Sequence, residues 1–398
     1  MPLPSGDDTI YLDHAATTPV DPAVTAAMLP FFTEHFGNPS SIYRLGQDAR
    51  AALDRARGTV ARILGCGTSE IIFNSGATEG DNLALIGVAW HRRLANPDRP
   101  MPHLITTEIE HHAVLHTAQW LERQGFAVTY VGCDAAGVIS PEEVEAAIRP
   151  ETCLISVMYA NNETGAIQPV ANIGAIARRH GILFHTDAVQ AAGSLPLNVD
   201  TLNVDLLSLS AHKFYGPKGV GMLYVRGGTP IAFQQHGGGQ ESGRRGGTEN
   251  VAGIVGMAVA LDRAEARREQ YNQHCANLRD RLWHGIQQEM PDIQLNGPSD
   301  FTYRLPNNLN ISIPGVQGET MLLSLDMEGI AASAGSACTT GNSEPSHVLR
   351  AMGLSDERCR ASLRLTVGLG NTVDEMDETV DALATTVERV RELAGIAS

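Results

Sequence analysis

Two lysines are the first residues here that could carry covalent chemistry. Of the 29 basic residues in this 398-residue chain, only Lys213 and Lys218 are lysines; the other 27 are arginines. A desolvated lysine amine loses its proton and becomes a nucleophile toward a carbonyl, whereas a guanidinium stays protonated. Lys213 closes Ser208-Leu-Ser-Ala-His-Lys213 and is followed by Phe214, so hydroxyl, imidazole and aromatic groups flank it. Lys218 follows Gly216-Pro217 in a turn, which suits a surface or supporting cation. Cys338 is a second candidate nucleophile. It lies in Ala331-Ala-Ser-Ala-Gly-Ser-Ala-Cys-Thr-Thr-Gly341, a segment of almost entirely small residues in which a reactive thiolate is reachable. Cys66, Cys133, Cys153, Cys275 and Cys359 stand in apolar or helical surroundings and read as inert. No Cys-x-x-Cys pair or zinc-ligand spacing occurs, so no resident metal is expected.

Other polar residues stand at the ends of apolar runs. Asp187, in His185-Thr-Asp-Ala-Val-Gln190, needs a cation or strong donor if it is buried, such as a protonated ring nitrogen; a helix cap is the plainer alternative. Ser75-Gly-Ala-Thr-Glu79 joins a strand to a helix, either as an anion site or as a simple cap. His111 and His112 diverge on a helix, which opposes a joint metal site but leaves one ring able to stack on a flat ligand. Asn161-Asn-Glu-Thr-Gly165 fits a turn or a ligand-binding strand end. The Gly-rich segment 237–250, with Arg244, Arg245 and Thr248, either cradles phosphate or is merely flexible. Arg364 is a cation in the apolar Ser362-Leu-Arg-Leu-Thr366, as a structural ion pair or a bidentate carboxylate clamp.

The elements that must position these groups alternate. Strands are expected near 70–74, 103–107, 127–132, 153–159, 182–185, 205–210 and 219–225, with helices at 21–36, 41–64, 78–94, 111–124, 140–148 and 170–180. Short apolar strands separated by helices imply an α/β fold, a mostly parallel sheet covered by helices on both faces. From Thr248 to Met290 one long helical stretch is expected, then strands 308–313 and 362–367 with helices 319–325, 346–352 and 373–393. This second part reads as a smaller α+β domain, with the boundary near residue 262. Composition is ordinary for a globular chain, with 43% hydrophobic and 19% charged residues. The net charge of −16 disfavours nonspecific nucleic-acid or anionic-membrane binding. The Met1–Asp8 segment lacks signal-peptide character and no apolar run is of membrane-spanning length, so a cytoplasmic chain is expected.

Taken in order, these segments resemble cysteine desulfurases, pyridoxal-phosphate enzymes of the class V aminotransferase family. The likeness runs from Tyr11-Leu-Asp-His-Ala-Ala-Thr-Thr-Pro19 and Phe36-Gly-Asn-Pro-Ser-Ser41 through the motifs above to Arg245-Gly-Gly-Thr-Glu-Asn250 and Gly335-Ser-Ala-Cys338. The loop through Glu344-Pro345 and Ser346-His-Val-Leu-Arg350 is similar to the NifS/IscS-type branch; Tyr43, where relatives often carry His, is a departure. The resemblance implies the fold of type I pyridoxal-phosphate transferases, with a large domain over 17–262 and a small one from 1–16 and 263–398. It implies that Lys213 holds pyridoxal 5′-phosphate as a Schiff base and later moves protons. Asp187 would pair with the pyridinium nitrogen, Gln190 bond the phenolic oxygen and His111 stack on the ring. Ala77, Thr78, Ser210, Ala211 and His212 would hold the phosphate, joined by Thr248 of a second subunit in a homodimer. Asn161, also a cofactor contact, and Arg364 would orient L-cysteine, and Cys338 would take its sulfur as a persulfide, leaving L-alanine. The sulfur would pass to an iron–sulfur scaffold or another acceptor protein, with Cys338 also a contact for a transferred cluster.

Rival readings are a selenocysteine lyase or a small-amino-acid aminotransferase of the same family. A nicotinamide-dependent dehydrogenase is disfavoured, since no Gly-x-Gly-x-x-Gly follows the first strand. A non-enzymatic sulfur or metal carrier would need Cys338 but not the other motifs.

Overall fold

The computed structural model describes residues 9–334, 344–393 and 395. Twelve strands are described: β1 Ile10–Tyr11, β2 Ile71–Asn74, β3 His103–Thr107, β4 Ala127–Val131, β5 Thr152–Ser156, β6 Leu183–Asp187, β7 Leu206–Ser210, β8 Gly221–Val225, β9 Gln294–Leu295, β10 Asn308–Ser312, β11 Ile330–Ala331 and β12 Ser362–Thr366. Seven of them form the main sheet in the order β2-β8-β7-β6-β5-β3-β4. Only β8 runs against the rest, pairing antiparallel with both β2 and β7. The apolar runs explain the burial: alternate residues of one strand feed opposite cores. Ile71, Phe73, Leu207 and Leu209 enter one cluster, under the helices Arg44–Leu64 and Val251–Ala266. Ile72, Leu206 and Leu223 enter another, under the helices Ala77–Ala95 and His112–Arg123. A sheet covered on both faces tolerates almost no polar residue except at strand ends, and that is where the candidate residues stand.

A third core gathers Ile10 and Leu12 with residues from Cys275 to Val387. It lies between the antiparallel sheet β12-β10-β9 and the helices Arg268–Glu289 and Val373–Leu393. The fold is therefore α/β with a smaller α+β part, as the strand and helix pattern implies.

Two expected helices are broken. The segment over 21–36 is two short helices, Pro22–Met28 and Pro30–Thr33, divided at Leu29 before a proline. The long stretch after Thr248 is also two helices, Val251–Ala266 and Arg268–Glu289, separated at Arg267 (φ −109°, ψ 6°). No Gly or Pro marks that break. Arg267 instead turns with Arg263 toward Asp21, at 2.9 and 3.0 Å. A tertiary ion pair here overrides local helix propensity.

Candidate active site

The carboxyl ends of the parallel strands open into a cavity of about 620 Å³. Of the residues picked out in the sequence, Ala77, Thr78, His111, Asp187, Gln190, Ser210, His212, Lys213 and Arg364 line it. Asn161 and Ala211 do not. Thr248 is exposed and lies outside this chain's own cavity. Cys338 lies outside the described residues.

Lys213 ends a short 3-10 turn, Ala211–Lys213, that continues β7. Its Nζ donates to the carbonyl of Ala15, and at 2.7 Å to that of Ala16. Gln190 Nε2 also donates to Ala15 O, at 3.0 Å, so the Asp13–Thr17 segment forms one wall. Asp187 closes β6, with Oδ1 accepting from Val189 N at 2.9 Å. Burial, reinforced by the neighbouring Asp81 carboxylate, pushes its pKa up to about 7. A carboxylate so placed gains strongly from a cationic partner.

His111 caps the helix His112–Arg123, its Nδ1 accepting from Ala113 N at 3.1 Å. That bond leaves Nε2 to carry the hydrogen of the neutral ring. Burial, with the Lys213 charge next, lowers its pKa to about 4, so the ring stays neutral. His212 is likewise held near 4 by burial, then by Lys213 and Lys218.

At the other end of the cavity the helix Ala77–Ala95 begins, capped by Gly76 at φ 154°. Its first amides point outward, a natural seat for an anion. Two strands fit there only because of glycine: a Cβ on Gly221 would lie 2.7 Å from Gly76 Cα and 2.5 Å from Leu209 O. Ser75 donates to Glu79, whose carboxylate is held by Arg245 at 2.9 Å.

Arg364 is buried, 2% exposed, with Nη1 donating to Asn162 O and Nη2 to Asp13 Oδ1, both at 2.8 Å. Its Nε has no partner among the described residues. Arg364 also lines the cavity, which places its guanidinium where a carboxylate can be met.

Two of the expected residues stand away from the cavity wall. Asn161 is fully buried in its own turn: its Oδ1 accepts from Glu163 N and Thr164 N at 2.9 Å and its Nδ2 donates to Ile109 O. The adjacent Asn162 lines the cavity instead. Ala211 is fully buried, its N–H bonded to Val220 O and its methyl pressed against Gly216. Asp81, unremarked in the sequence, also lines the cavity, together with His347, Glu163 and Lys218. Asp81 had a signal: Ala77, Asp81, Ala84 and Val88 share the buried stripe of their helix, so an acid interrupts an apolar face. Burial raises its pKa to about 7, and that of Glu110, which receives Met158 N, to about 8. Among the described residues no group of three or more His, Cys, Asp or Glu could hold a metal, and no helix is long and apolar enough to cross a membrane.

A lysine and a carboxylate at adjacent strand ends, a neutral imidazole and a helix N-terminus around one cavity define a pyridoxal-phosphate site of fold type I. The class-V aminotransferase model matches residues 10–378, and the chain belongs to that family. Within it, the chain stands among the cysteine desulfurases. It is 48% identical to the cysteine desulfurase IscS of Clostridium botulinum, covering 97% of this chain and 96% of that protein. It is 50% identical to the IscS of Methanosarcina thermophila, covering 97% and 93%. Among solved structures, a NifS-like protein superposes with a TM-score of 0.89 at 38% identity, covering 96% of this chain and all of that one. SspA in complex with cysteine superposes with a TM-score of 0.79 at 39% identity, covering 90% and 99%.

Proposed function

We propose that the protein converts L-cysteine to L-alanine and delivers the sulfur, through Cys338, to acceptor proteins that build iron–sulfur clusters. The observation that carries this reading is the meeting of Lys213, Asp187 and His111 at one cavity whose far end is a helix N-terminus. The residues fit pyridoxal 5′-phosphate: a buried carboxylate poised for a cation, a flat neutral ring, and amides suited to a phosphate. When bound, the cofactor supplies an aldehyde that takes up the substrate amine and a ring that stores the electron pair released at the α-carbon.

The chain's own residues then have separate roles. Asp187 keeps the ring nitrogen protonated. His111 would pack on the ring, and Gln190 would bond its phenolic oxygen. Ala77, Thr78, Ser210 and His212 hold the phosphate, joined by Thr248 of the second copy in a homodimer. Arg364, with Asn162 in the place first expected for Asn161, fixes the substrate carboxylate. The Lys213 amine removes the α-proton and returns a proton to the product. The Cys338 thiolate attacks the substrate sulfur: the S–S bond forms as the Cβ–S bond breaks, and the electron pair stays with the carbon skeleton. We assign residues 17–262 to the cofactor-binding domain and residues 1–16 with 263–398 to the small one, in a cytoplasmic protein. A separate core of Ile10, Leu12 and residues between 275 and 387 supports this division, while Val348, Leu349, Met352 and Cys359 pack into the main core.

Mass spectrometry after exposure to L-cysteine tests the reading. A sulfur adduct of about 32 Da on Cys338, absent in Cys338→Ala, is expected, since the thiolate is the sulfur acceptor. Full alanine and sulfide production by Cys338→Ala would refute it.

A further inference from the structure

Both lysines of this arginine-rich chain line the same cavity. Lys213 is accounted for by covalent chemistry, but Lys218 is not. Its position follows from the hairpin between β7 and β8. Ala211 N donates to Val220 O and Gly216 N to Ala211 O, folding the Pro217–Gly219 turn back over the start of β8. There Gly221 pairs with Asn74 and lies against Gly76, so close that a Cβ would strike it. The turn bearing Lys218 is thus anchored beside the first turn of the helix Ala77–Ala95. Lys218 itself lines the cavity, as do Gly76, Ala77 and Thr78 at the start of that helix.

The charge balance at that end is uneven. A phosphate monoester carries about −1.5 to −2 charges at neutral pH. The helix N-terminus offers only about half a positive charge. His212 is neutral, and Arg245 is engaged by Glu79. Lys213 would be committed to the bond with the cofactor aldehyde, and Arg364 faces Asp13. Lys218 makes no ion pair among the described residues.

We propose that Lys218 is a phosphate-binding residue of the cofactor site, supplying the full positive charge that the helix N-terminus and the hydroxyl groups lack. The inference rests on the pyridoxal-phosphate reading above. It also explains why a lysine persists here: a compact ammonium at a tight turn reaches one phosphate oxygen as a point charge, where a longer planar guanidinium would overshoot.

The experiment compares two ligands on the apoenzyme, pyridoxal 5′-phosphate and pyridoxal, which lacks the phosphate. Affinities are read from absorbance titration, and retention from the cofactor lost on dialysis of the loaded protein. Lys218→Ala should weaken pyridoxal 5′-phosphate by about ten- to a hundredfold, as for a lost charged hydrogen bond, and leave pyridoxal within about twofold. Lys218→Arg should recover part of the loss and Lys218→Gln almost none. Lys218 is exposed, so its replacement should not threaten the fold, and circular dichroism checks this. An unchanged preference for the phosphorylated ligand in Lys218→Ala overturns the inference alone. A wild-type protein that binds neither ligand overturns the cofactor reading with it.

Discussion

Replacing Glu241 tests how the Gly-rich segment is fixed next to the site. Glu241 is buried at φ 46°, and Ser242 follows at φ 60°, a backbone that non-glycine residues adopt at a cost. The Glu241 carboxylate accepts both Nη groups of Arg57 and, at 3.0 Å, the N–H of Phe73 in β2. Arg57 also donates to Ile71 O at 2.8 Å and lies 4.8 Å from the centre of the Phe73 ring. One side chain thus ties the segment to the strand that leads into the phosphate end. Glu241→Ala strands a backbone donor, worth about 1–3 kcal/mol, and breaks a buried ion pair, worth about 3–5 kcal/mol. The two losses overlap because they share one carboxylate. Arg57 keeps Ile71 O and some exposure, so a net loss of about 3 kcal/mol is expected. Glu241→Gln retains an acceptor and should lose about half of that. Glu241→Gly loses the same contacts but relieves the left-handed backbone, and should be milder than alanine by about 1 kcal/mol. Urea unfolding of the three variants, at constant slope, measures these differences. A loss below about 1 kcal/mol for alanine, or glycine worse than alanine, would refute the reasoning.

Further outcomes follow from the cavity's other residues. The pKa of Asp81 is raised from 3.8 to about 7 in the folded protein, so its contribution to stability is lost as pH rises from about 4 through about 7. Asp81→Asn should make the cofactor-free protein more stable than wild type at pH 8.5, by about 4 kcal/mol at most, with the advantage gone by pH 4; chemical unfolding at both pH values checks the sign. Gly221→Ala places a methyl against backbone on two sides, which cannot yield, and should reduce both thermal stability and cofactor retention. Arg364→Lys keeps the charge but loses the fork geometry, and the KM for L-cysteine should rise about tenfold or more in steady-state kinetics. His111 should remain neutral down to about pH 5, with its hydrogen on Nε2, which nitrogen-15 NMR reads directly.

Strand ends were the legible part of this molecule. Asp187, Lys213 and Arg364 each interrupt or terminate an apolar run, and a polar group there is either functional or costly. What resisted reading depends on long-range packing. Two adjacent asparagines have the same composition and propensity. Only the turn around Thr164 and Gly165 decides that Asn161 faces its own backbone while Asn162 faces the cavity. Glu110 and Glu163 look like ordinary surface acids, yet both are buried, because Thr107, Met158 and Ser346, distant in sequence for the most part, supply the donors they need. The break at Arg267 required Asp21, 246 residues earlier, to be in reach. The two-residue strands β1 and β11 are too short to show a period of two, and they pair only because the chain returns after more than 300 residues.

The scarcity of lysine gains its meaning from the same distinction between charge and geometry. Elsewhere the chain meets its need for cations with arginine, including at buried positions such as Arg304, whose Nε and Nη2 donate to the carbonyls of Asn296 and Pro298. Arg364 follows that pattern, donating to a carbonyl and a carboxylate at once. A site assembled only from such forks would fix anions well but offer no amine able to lose its proton. The cavity therefore distributes its cations according to the chemistry each must perform. On the proposed roles, a fork serves where a planar carboxylate is to be oriented, an amine where bonds are to be made, and a point charge beside the helix N-terminus, and all three line one cavity. If Lys218→Arg matched wild type in every ligand affinity, the third of these assignments would reduce to charge alone. The persistence of lysine at that turn would then have no geometric cause.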